Sequence, residues 1–239
     1  MAQSFSGPLL AAALPIDANE ATNAVHRPGE IIFTNDGRAF RFCEAGASAL
    51  DPGKLQSSEA EDTGEQNLAV AATAIGATSV VTTTTGTVVV DEYSWGFLAV
   101  TVTPGVGKAY RISGHAAYTT AAMTFNLDDP IEVALTTDSR IDVIANPYMN
   151  LVITPSSATG CVVGVSHTAI SIAQFGWIQV NGPGVVLAQA AVTVGLDVTN
   201  SNATAGAVEN ADSDSQVLVG QAITGIADTE YGLVNIRLL

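Results

Sequence analysis

Three histidines are the side chains of this sequence best suited to proton transfer or metal binding, and each of them stands alone. His26, His115 and His167 form neither an H-x-x-x-H nor an H-E-x-x-H pattern for zinc. His115 and His167 fall at the ends of predicted strands. We therefore expect all three to be structural or surface residues, and we predict no metal site around them.

Two groups of carboxylates could share a proton or bind a cation. Asp128 and Asp129 are adjacent, and adjacent side chains on an extended segment point in opposite directions, which is a poor geometry for either task. The acidic run from Glu209 through Asp212 to Asp214 offers oxygen ligands for calcium, but it lacks the EF-hand spacing and the terminal Glu. We interpret it as a solvated loop, with a calcium site as the alternative.

The segment Gly105-Val106-Gly107-Lys108 ends like a phosphate-binding loop but lacks the rest of the pattern. Such a loop needs a glycine where Val102 stands and a Ser or Thr where Ala109 stands. A Pro-Gly turn between two strands is the simpler interpretation. The G-x-S-x-G nucleophile elbow does not occur either. The sequence therefore predicts no catalytic, cofactor-binding or metal-binding residue, and we expect the chain not to be an enzyme.

The cysteines and several aromatic residues lie in apolar surroundings. Cys43 and Cys161 are far apart and show neither metal-ligand spacing nor a disulfide framework, so we expect buried free thiols. Four aromatic residues adjoin glycines in strand-like sequence, and we expect them to pack in the core: Trp95, Phe97, Phe175 and Trp177.

Strands must position these side chains, because Val, Thr and Ile dominate the regular stretches and β-branched residues suit a pleated sheet. Turn signals such as Asn35-Asp36-Gly37 and Asn181-Gly182-Pro183-Gly184 separate them, which is typical of sandwiches and barrels. The predicted strands are Glu30–Thr34, Arg38–Cys43, Ser79–Thr84, Thr87–Val90, Phe97–Thr103, Ala109–His115, Arg140–Ala145, Leu151–Thr154, Cys161–Ser166, Trp177–Asn181, Val185–Leu187, Gln216–Ala222 and Gly232–Leu238.

The predicted fold is all-β, with short-stranded β-sandwich or barrel units, an irregular N-terminal arm and little helix. Ser58–Ala74 is interpreted as a partly helical or irregular polar connector, and a single helical turn is predicted at Pro130–Leu135. We expect four regions in chain order: residues 1–57 as the arm and a β-hairpin, 58–74 as the connector, 75–155 as a middle β domain and 156–239 as a C-terminal barrel-like domain.

Composition and charge exclude several function classes. The 239 residues include eight Lys and Arg against 23 Asp and Glu, which gives a net charge of −15. This balance disfavours nucleic-acid binding and adhesion to an anionic membrane, since both need clustered cations. No segment approaches about 18 uninterrupted apolar residues. The apolar stretch Pro8–Pro15 follows no Lys- or Arg-rich region, so we expect no secretory signal and a soluble protein made in the cytoplasm.

The same composition suits a building block. A surface with few charged residues fits broad, largely uncharged contacts between subunits. Sheet edges near Thr82–Thr85 and Val185–Val194 would be covered by oligomerisation. The acidic excess keeps the free protein soluble and repels DNA, so we place the chain on the outside of any nucleic-acid-containing shell.

An ordered series of short turn-and-strand motifs runs along most of the chain. It comprises Asp36–Ala47, Pro52–Leu55, Pro104–Gly107, Tyr110–Ile112, Asp129–Ile131, Asn146–Tyr148, Phe175–Val180, Val194–Gly195 and Val219–Ala222. In this order the motifs resemble those of tailed-bacteriophage virion proteins described as head decoration or minor capsid proteins. The resemblance spans about residues 29 to 239 and carries no catalytic residue.

The resemblance implies a capsid decoration (cement) protein that binds the outer face of the head and stabilises the lattice of the major capsid protein. Proteins of such groups are often trimers at threefold positions, so the implied partners are the major capsid protein and further copies of the chain. It implies no cofactor, no direct nucleic-acid contact and no membrane. Residues 1–27 are a candidate arm that grips the capsid, with a packed or mobile tail as the alternative.

Three other functions stay open at this point. A fibre, spike or head-surface adhesin that binds host carbohydrate would expose Trp and Tyr side chains along one rim. A depolymerase or protease of the virion would need a catalytic constellation that the sequence lacks. A major capsid subunit would need a long spine helix and a more basic inner surface.

Overall fold

The protein is nearly all-β, which confirms the predicted fold class. The computed structural model describes residues 9–11, 26–84, 86–119, 122–157, 159–212 and 217–239. Within these ranges the single helical segment is a 3₁₀ turn at Thr63–Glu65. Most of the predicted N-terminal arm lies outside the described residues, apart from a short strand at Leu9–Ala11.

The described part of the chain contains nineteen strands. In chain order they are β1 Leu9–Ala11, β2 Ile31–Thr34, β3 Ala39–Glu44, β4 Leu55–Ser57, β5 Leu68–Ala69, β6 Ser79–Thr83, β7 Thr87–Val88, β8 Phe97–Val102, β9 Ala109–His115, β10 Tyr118–Thr119, β11 Ala122–Leu127, β12 Arg140–Ile144, β13 Val152–Ile153, β14 Val162–Ser166, β15 Phe175–Leu187, β16 Asp197–Asn200, β17 Val208–Asn210, β18 Leu218–Ala222 and β19 Tyr231–Arg237.

The chain divides into two compact units whose boundaries differ from the four predicted regions. The first unit combines residues 1–60 with 147–239, and the second unit is residues 61–146. The hairpin of β2 and β3 belongs with the C-terminal residues because β3 pairs with β15 over six positions. The predicted connector 58–74 mostly belongs to the second unit and contributes strand β5 to its sheet. Turn spacing along the sequence does not encode such long-range pairing.

The first unit is built on an eleven-stranded sheet. Its main path runs β1-β2-β3-β15-β19-β18-β16-β17, and β4, β13 and β14 extend it beside β15. The pair of β1 and β2 is parallel, and the other pairs are antiparallel. Buried side chains form its core on both sides of β15, including Phe40, Phe42, Trp177, Ile178 and Val234.

Strand β15 is continuous, although a turn was predicted at its centre. The segment Asn181-Gly182-Pro183-Gly184 pairs residue by residue with β19. The buried Gln179 side chain braces it, because its Nε2 lies 2.9–3.1 Å from three backbone carbonyl oxygens of the same segment. Gly182 has a φ of +86°, and a Cβ there would lie 3.1 Å from the Arg38 Cα, so only glycine fits. The exposed Pro183 is tolerated because β3 reaches no further than Asn181.

The second unit is a six-stranded antiparallel sheet that curls into a near-barrel. Its order is β5-β12-β8-β9-β11-β6, and the two end strands approach each other through a bridge between Val70 and Thr82. The Ala71 N–H also donates to the Val81 carbonyl at 2.9 Å. The core of the curled sheet is apolar and fully buried at its centre, where Leu98, Ile112, Met123, Phe125 and Ile141 meet.

Residues 130–135 form no helical turn, contrary to the prediction at Pro130–Leu135. The Ile131 N–H donates to the Ala77 carbonyl at 2.8 Å, and Leu135 exchanges two 2.9 Å hydrogen bonds with Thr73. These donors are therefore engaged by a distant loop rather than by the carbonyls one turn back. Strand β11 was not predicted at all, because its sequence AMTFNL lacks a run of β-branched residues.

Candidate functional site

His115 is a buried structural residue of the second unit. The backbone N–H of Tyr93 donates to its Nε2 at 2.9 Å, so the ring proton lies on Nδ1, which donates to the Ala116 carbonyl at 3.0 Å. The imidazole is thus fixed as one neutral tautomer with both nitrogens engaged. A residue held in this way positions a loop and has no free nitrogen for a ligand.

The other two histidines lie in the first unit. The ring of His26 packs 5.2 Å from that of Trp177, and its Nδ1 lies 3.3 Å from a Glu30 carboxylate oxygen. His167 is exposed, and its ring meets Phe40 edge-on at 6.3 Å. The three histidines therefore occupy three separate environments. Among the described residues no group of three or more His, Cys, Asp or Glu side chains has a metal-binding arrangement.

Among the described candidate carboxylates Glu209 is half-buried and the others are exposed, as is the loop lysine, Lys108. Asp128 and Asp129 are exposed, as is Asp212, while Asp214 lies outside the described residues. Lys108 lies in the tight connection between β8 and β9, as the Pro-Gly interpretation predicts, and pairs with Glu132 at 2.6 Å. The structure brings none of the predicted carboxylate groups into a common site with this lysine.

The thiols and aromatic residues follow the predictions only in part. Cys43 is fully buried and burial strongly raises the pKa of its thiol, but Cys161 is exposed. Trp177 and Phe175 are buried as predicted. Phe97 instead stands on the outer face of the second unit with 40% of its surface exposed. Strand alternation decides this, because β8 buries Leu98 and Val100 and must turn their neighbours outward.

Two loops are tied together at one end of the second unit. Residues 73–77 follow β5, and residues 130–139 connect β11 to β12. Thr73 and Leu135 exchange both of their backbone hydrogen bonds at 2.9 Å. The loops are therefore fixed by backbone pairing rather than by side-chain packing alone.

A third loop, residues 103–108, joins the same end. The buried Ser139 hydroxyl donates to the Pro104 carbonyl at 2.8 Å, which links this loop to its neighbour. Lys108 and Glu132 pair across the same two loops and neutralise each other. The three interconnected loops at this end of the second unit thus carry the ion pair of Lys108 with Glu132, together with the exposed acid Asp138.

Exposed aliphatic side chains cover this end. Ile75 is 68% exposed and Val106 is 59% exposed, with Val102 and Val133 also exposed beside them. We call these four residues the apolar tip. Single exposed aliphatic residues are common, whereas these four lie on or next to linked loops. Sequence reasoning missed them, although aliphatic residues between turn glycines, as at Ile75-Gly76 and Gly105-Val106-Gly107, are a signal that could have found them.

The opposite end of the second unit holds a buried carboxyl group that the sequence did not reveal. Glu65 is fully buried, and neither of its carboxylate oxygens has a hydrogen-bond partner. Burial, reinforced by the nearby charges of Asp62 and Glu92, raises its pKa to about 7. Burial and the same acids also raise the pKa of Tyr93, whose hydroxyl donates to Asp62 at 3.2 Å.

The comparisons with known proteins leave the chain without an assigned family. No protein-family model matches it, and neither a curated protein nor a solved structure is detectably similar. In the part of the chain that the structure describes, no helix has the length and apolar character needed to span a membrane.

Proposed function

We propose that this chain is a non-enzymatic virion structural protein, a capsid decoration (cement) protein on the outer face of a tailed-bacteriophage head. The apolar tip is the observation that carries the proposal. It offers adhesive surface on fixed loops and contains no group suited to catalysis. The ordered motifs of the sequence and its all-β fold support the same assignment.

The mechanism is adhesion. Each protomer places Ile75, Val106 and their neighbours against major-capsid subunits, and burial of these side chains stabilises the contact by removing apolar surface from water. Contacts repeated on a symmetric lattice reinforce each other, because one attached copy raises the effective concentration of the next contact. Self-association, with a trimer as the expected form, adds further contacts. Residues 1–27 are a second candidate attachment segment.

The net charge of the protein favours a position on the outer face of the head. The protein carries a net charge of −15, so its body is repelled by the packaged DNA and is best placed outside the shell. On the loops that carry the apolar tip, Lys108 is paired with Glu132, and Asp138 is a further exposed acid. An apolar attachment surface whose lysine is already paired avoids burying that ammonium group unpaired against the capsid.

The test uses heads assembled without this gene product, to which purified protein is added back. The double variant Ile75→Ser/Val106→Ser removes two exposed side chains from the apolar tip. Complete burial of each is worth about 1.5–3 kcal/mol, so partial burial of both predicts about 30- to 1,000-fold weaker attachment. Co-sedimentation with heads and the temperature of head disruption measure the effect.

A matched control has the same chemistry at the opposite end of the second unit. Val89 and Val90 are 61% and 63% exposed, and Val89→Ser/Val90→Ser should attach like the unmodified protein. Equal attachment of both double variants would reject the apolar tip as the docking surface. Heads that lack the protein yet resist heat normally, combined with failed adsorption to the host, would replace decoration by an adhesin function.

A further inference from the structure

A cleft of about 550 Å³ opens on the first unit. It is lined by the turn Asp51–Lys54, by Ser166 at the end of β14 and His167 directly after it, and by Gln179 and Tyr231 from β15 and β19. The volume is in the range of small-molecule sites. The adhesive mechanism makes no use of it.

The walls of this cleft are preformed. The Gly53 N–H donates to the Ser166 carbonyl at 2.8 Å, and the Ser166 N–H donates to the Lys54 carbonyl at 3.2 Å. On the other side the Leu187 N–H donates to the Gly53 carbonyl at 2.8 Å. The turn is therefore tied to two strands, and a ligand would meet little cost of ordering it.

Tyr231 supplies an open aromatic surface beside the turn. Its ring packs so closely on Gly53, which has a φ of +69°, that a Cβ there would lie 2.7 Å from a ring carbon. The remaining 51% of the residue is exposed. An aromatic side chain fixed on one side and open on the other provides a rigid platform for the C–H face of a ring-shaped ligand.

The charges in the cleft favour a neutral ligand. Lys54 is the cation of the lining, and its ammonium group already pairs with the Asp51 carboxylate at 2.8 Å. An anionic ligand would compete with Asp51 on a protein whose net charge is −15, and a cationic ligand would face Lys54. The pair nevertheless offers a polar donor and a polar acceptor at the surface.

Two polar side chains of the lining, Ser166 and Gln179, differ in whether they have hydrogen-bond partners. Ser166 is fully buried, and its Oγ has no hydrogen-bond partner among the described residues. The Gln179 amide nitrogen is by contrast engaged by three backbone carbonyls and serves the strand itself. Hydroxyl groups of a ligand both donate and accept, so they suit the carboxylate of Asp51 and the ammonium group of Lys54 together.

We propose that this cleft binds a neutral sugar, with its ring face on Tyr231 and its hydroxyls toward Asp51 and Lys54. A pyranose combines the apolar C–H face and the ring of hydroxyls that these surfaces require. This binding is separate from attachment to the head. It would give a particle decorated with this protein a weak affinity for saccharides.

The test is saturation-transfer difference NMR on the full chain with glucose, galactose, mannose and N-acetylglucosamine. At least one sugar should bind with a dissociation constant of about 1–10 mM. Tyr231→Ala should weaken this binding at least about tenfold, Tyr231→Phe should retain it, and Phe97→Ala should leave it unchanged as the matched exposed aromatic. Asp51→Asn provides a second variant, expected to weaken binding, should Tyr231→Ala fold poorly.

The experiment also distinguishes a cell-surface sugar from a soluble one, and a neutral sugar from an anionic ligand. Tighter binding of a neutral bacterial surface polysaccharide than of its free monosaccharide identifies a cell-surface ligand, whereas equal binding identifies a soluble one. Binding of glucuronate or inorganic phosphate in preference to every neutral sugar would overturn the proposal, as would no binding at all. The Ile75→Ser/Val106→Ser protein should still bind sugar, so failure of head attachment and failure of this proposal are distinguishable.

Discussion

Replacing the buried Glu65 by glutamine should remove a large part of the pH dependence of stability. The folded-state pKa of Glu65 is about 7, against an ordinary value of 4.5. A raised carboxyl pKa means that the folded protein holds a proton that the unfolded chain has released. The stabilisation is fully present below pH 4.5 and is lost as the pH rises through 7.

The magnitude follows from the size of this shift. One pKa unit corresponds to about 1.36 kcal/mol, so the shift from 4.5 to about 7 corresponds to about 3 kcal/mol in the free energy of unfolding. Glu65→Gln keeps the shape of the protonated acid and cannot ionise. Its stability relative to the unmodified protein should therefore rise by about 3 kcal/mol between pH 4 and pH 8.

Urea denaturation at pH 4, 6 and 8 measures this difference, with fluorescence of Trp95 reporting on the second unit. Glu61→Gln changes an exposed acid of the same segment and serves as the control, with no comparable change expected. A Glu65→Gln protein whose advantage is the same at pH 4 and pH 8 would refute the reasoning. It would show that the carboxyl group is charged or solvated in the folded state.

Two further predictions concern the first unit. A thiol reagent should modify the exposed Cys161 in the native protein, whereas the buried Cys43, with its raised pKa, should react only after unfolding; mass spectrometry before and after urea treatment distinguishes them. Gly182→Ala should destabilise by about 2 kcal/mol or more, because the φ of +86° and the contact with Arg38 act together. Gly195 has a φ of +82° with open space around it, so Gly195→Ala should lower the free energy of unfolding by about 1 kcal/mol. Equal losses of stability for the two alanine variants in urea denaturation would contradict this account.

Local sequence determined many strands but not their partners. Ala109–His115 was predicted with its observed bounds, because Tyr110 and Ile112 alternate with more polar neighbours directly after a turn. The pairing of β3 with β15 joins residues far apart in the chain, and no turn signal records it. Local sequence therefore cannot show that residues 1–60 and 147–239 form one unit.

In β15, tertiary contacts hold the chain extended at a segment whose local sequence predicts a turn. Asn181-Gly182-Pro183-Gly184 has the composition of a turn, yet pairing with β19 and the Gln179 side chain hold it extended. The burial of Glu65 was likewise not predicted, because its acidic neighbours led to the interpretation of this segment as a polar connector. Burial of one carboxyl among exposed ones depends on how the sheet curls, which periodicity does not describe.

The two proposed surfaces lie on different units, and this separation sharpens the argument for both. The apolar tip belongs to the loops of residues 61–146, and the cleft beside Tyr231 belongs to strands of the other unit. A side-chain change confined to one surface should leave the fold of the other unit intact, because each unit has its own buried core. Loss of head attachment and of sugar binding from a single substitution would therefore indicate global unfolding rather than a shared site. Independent loss of each would show that adhesion and recognition are built on separate sheets of one chain.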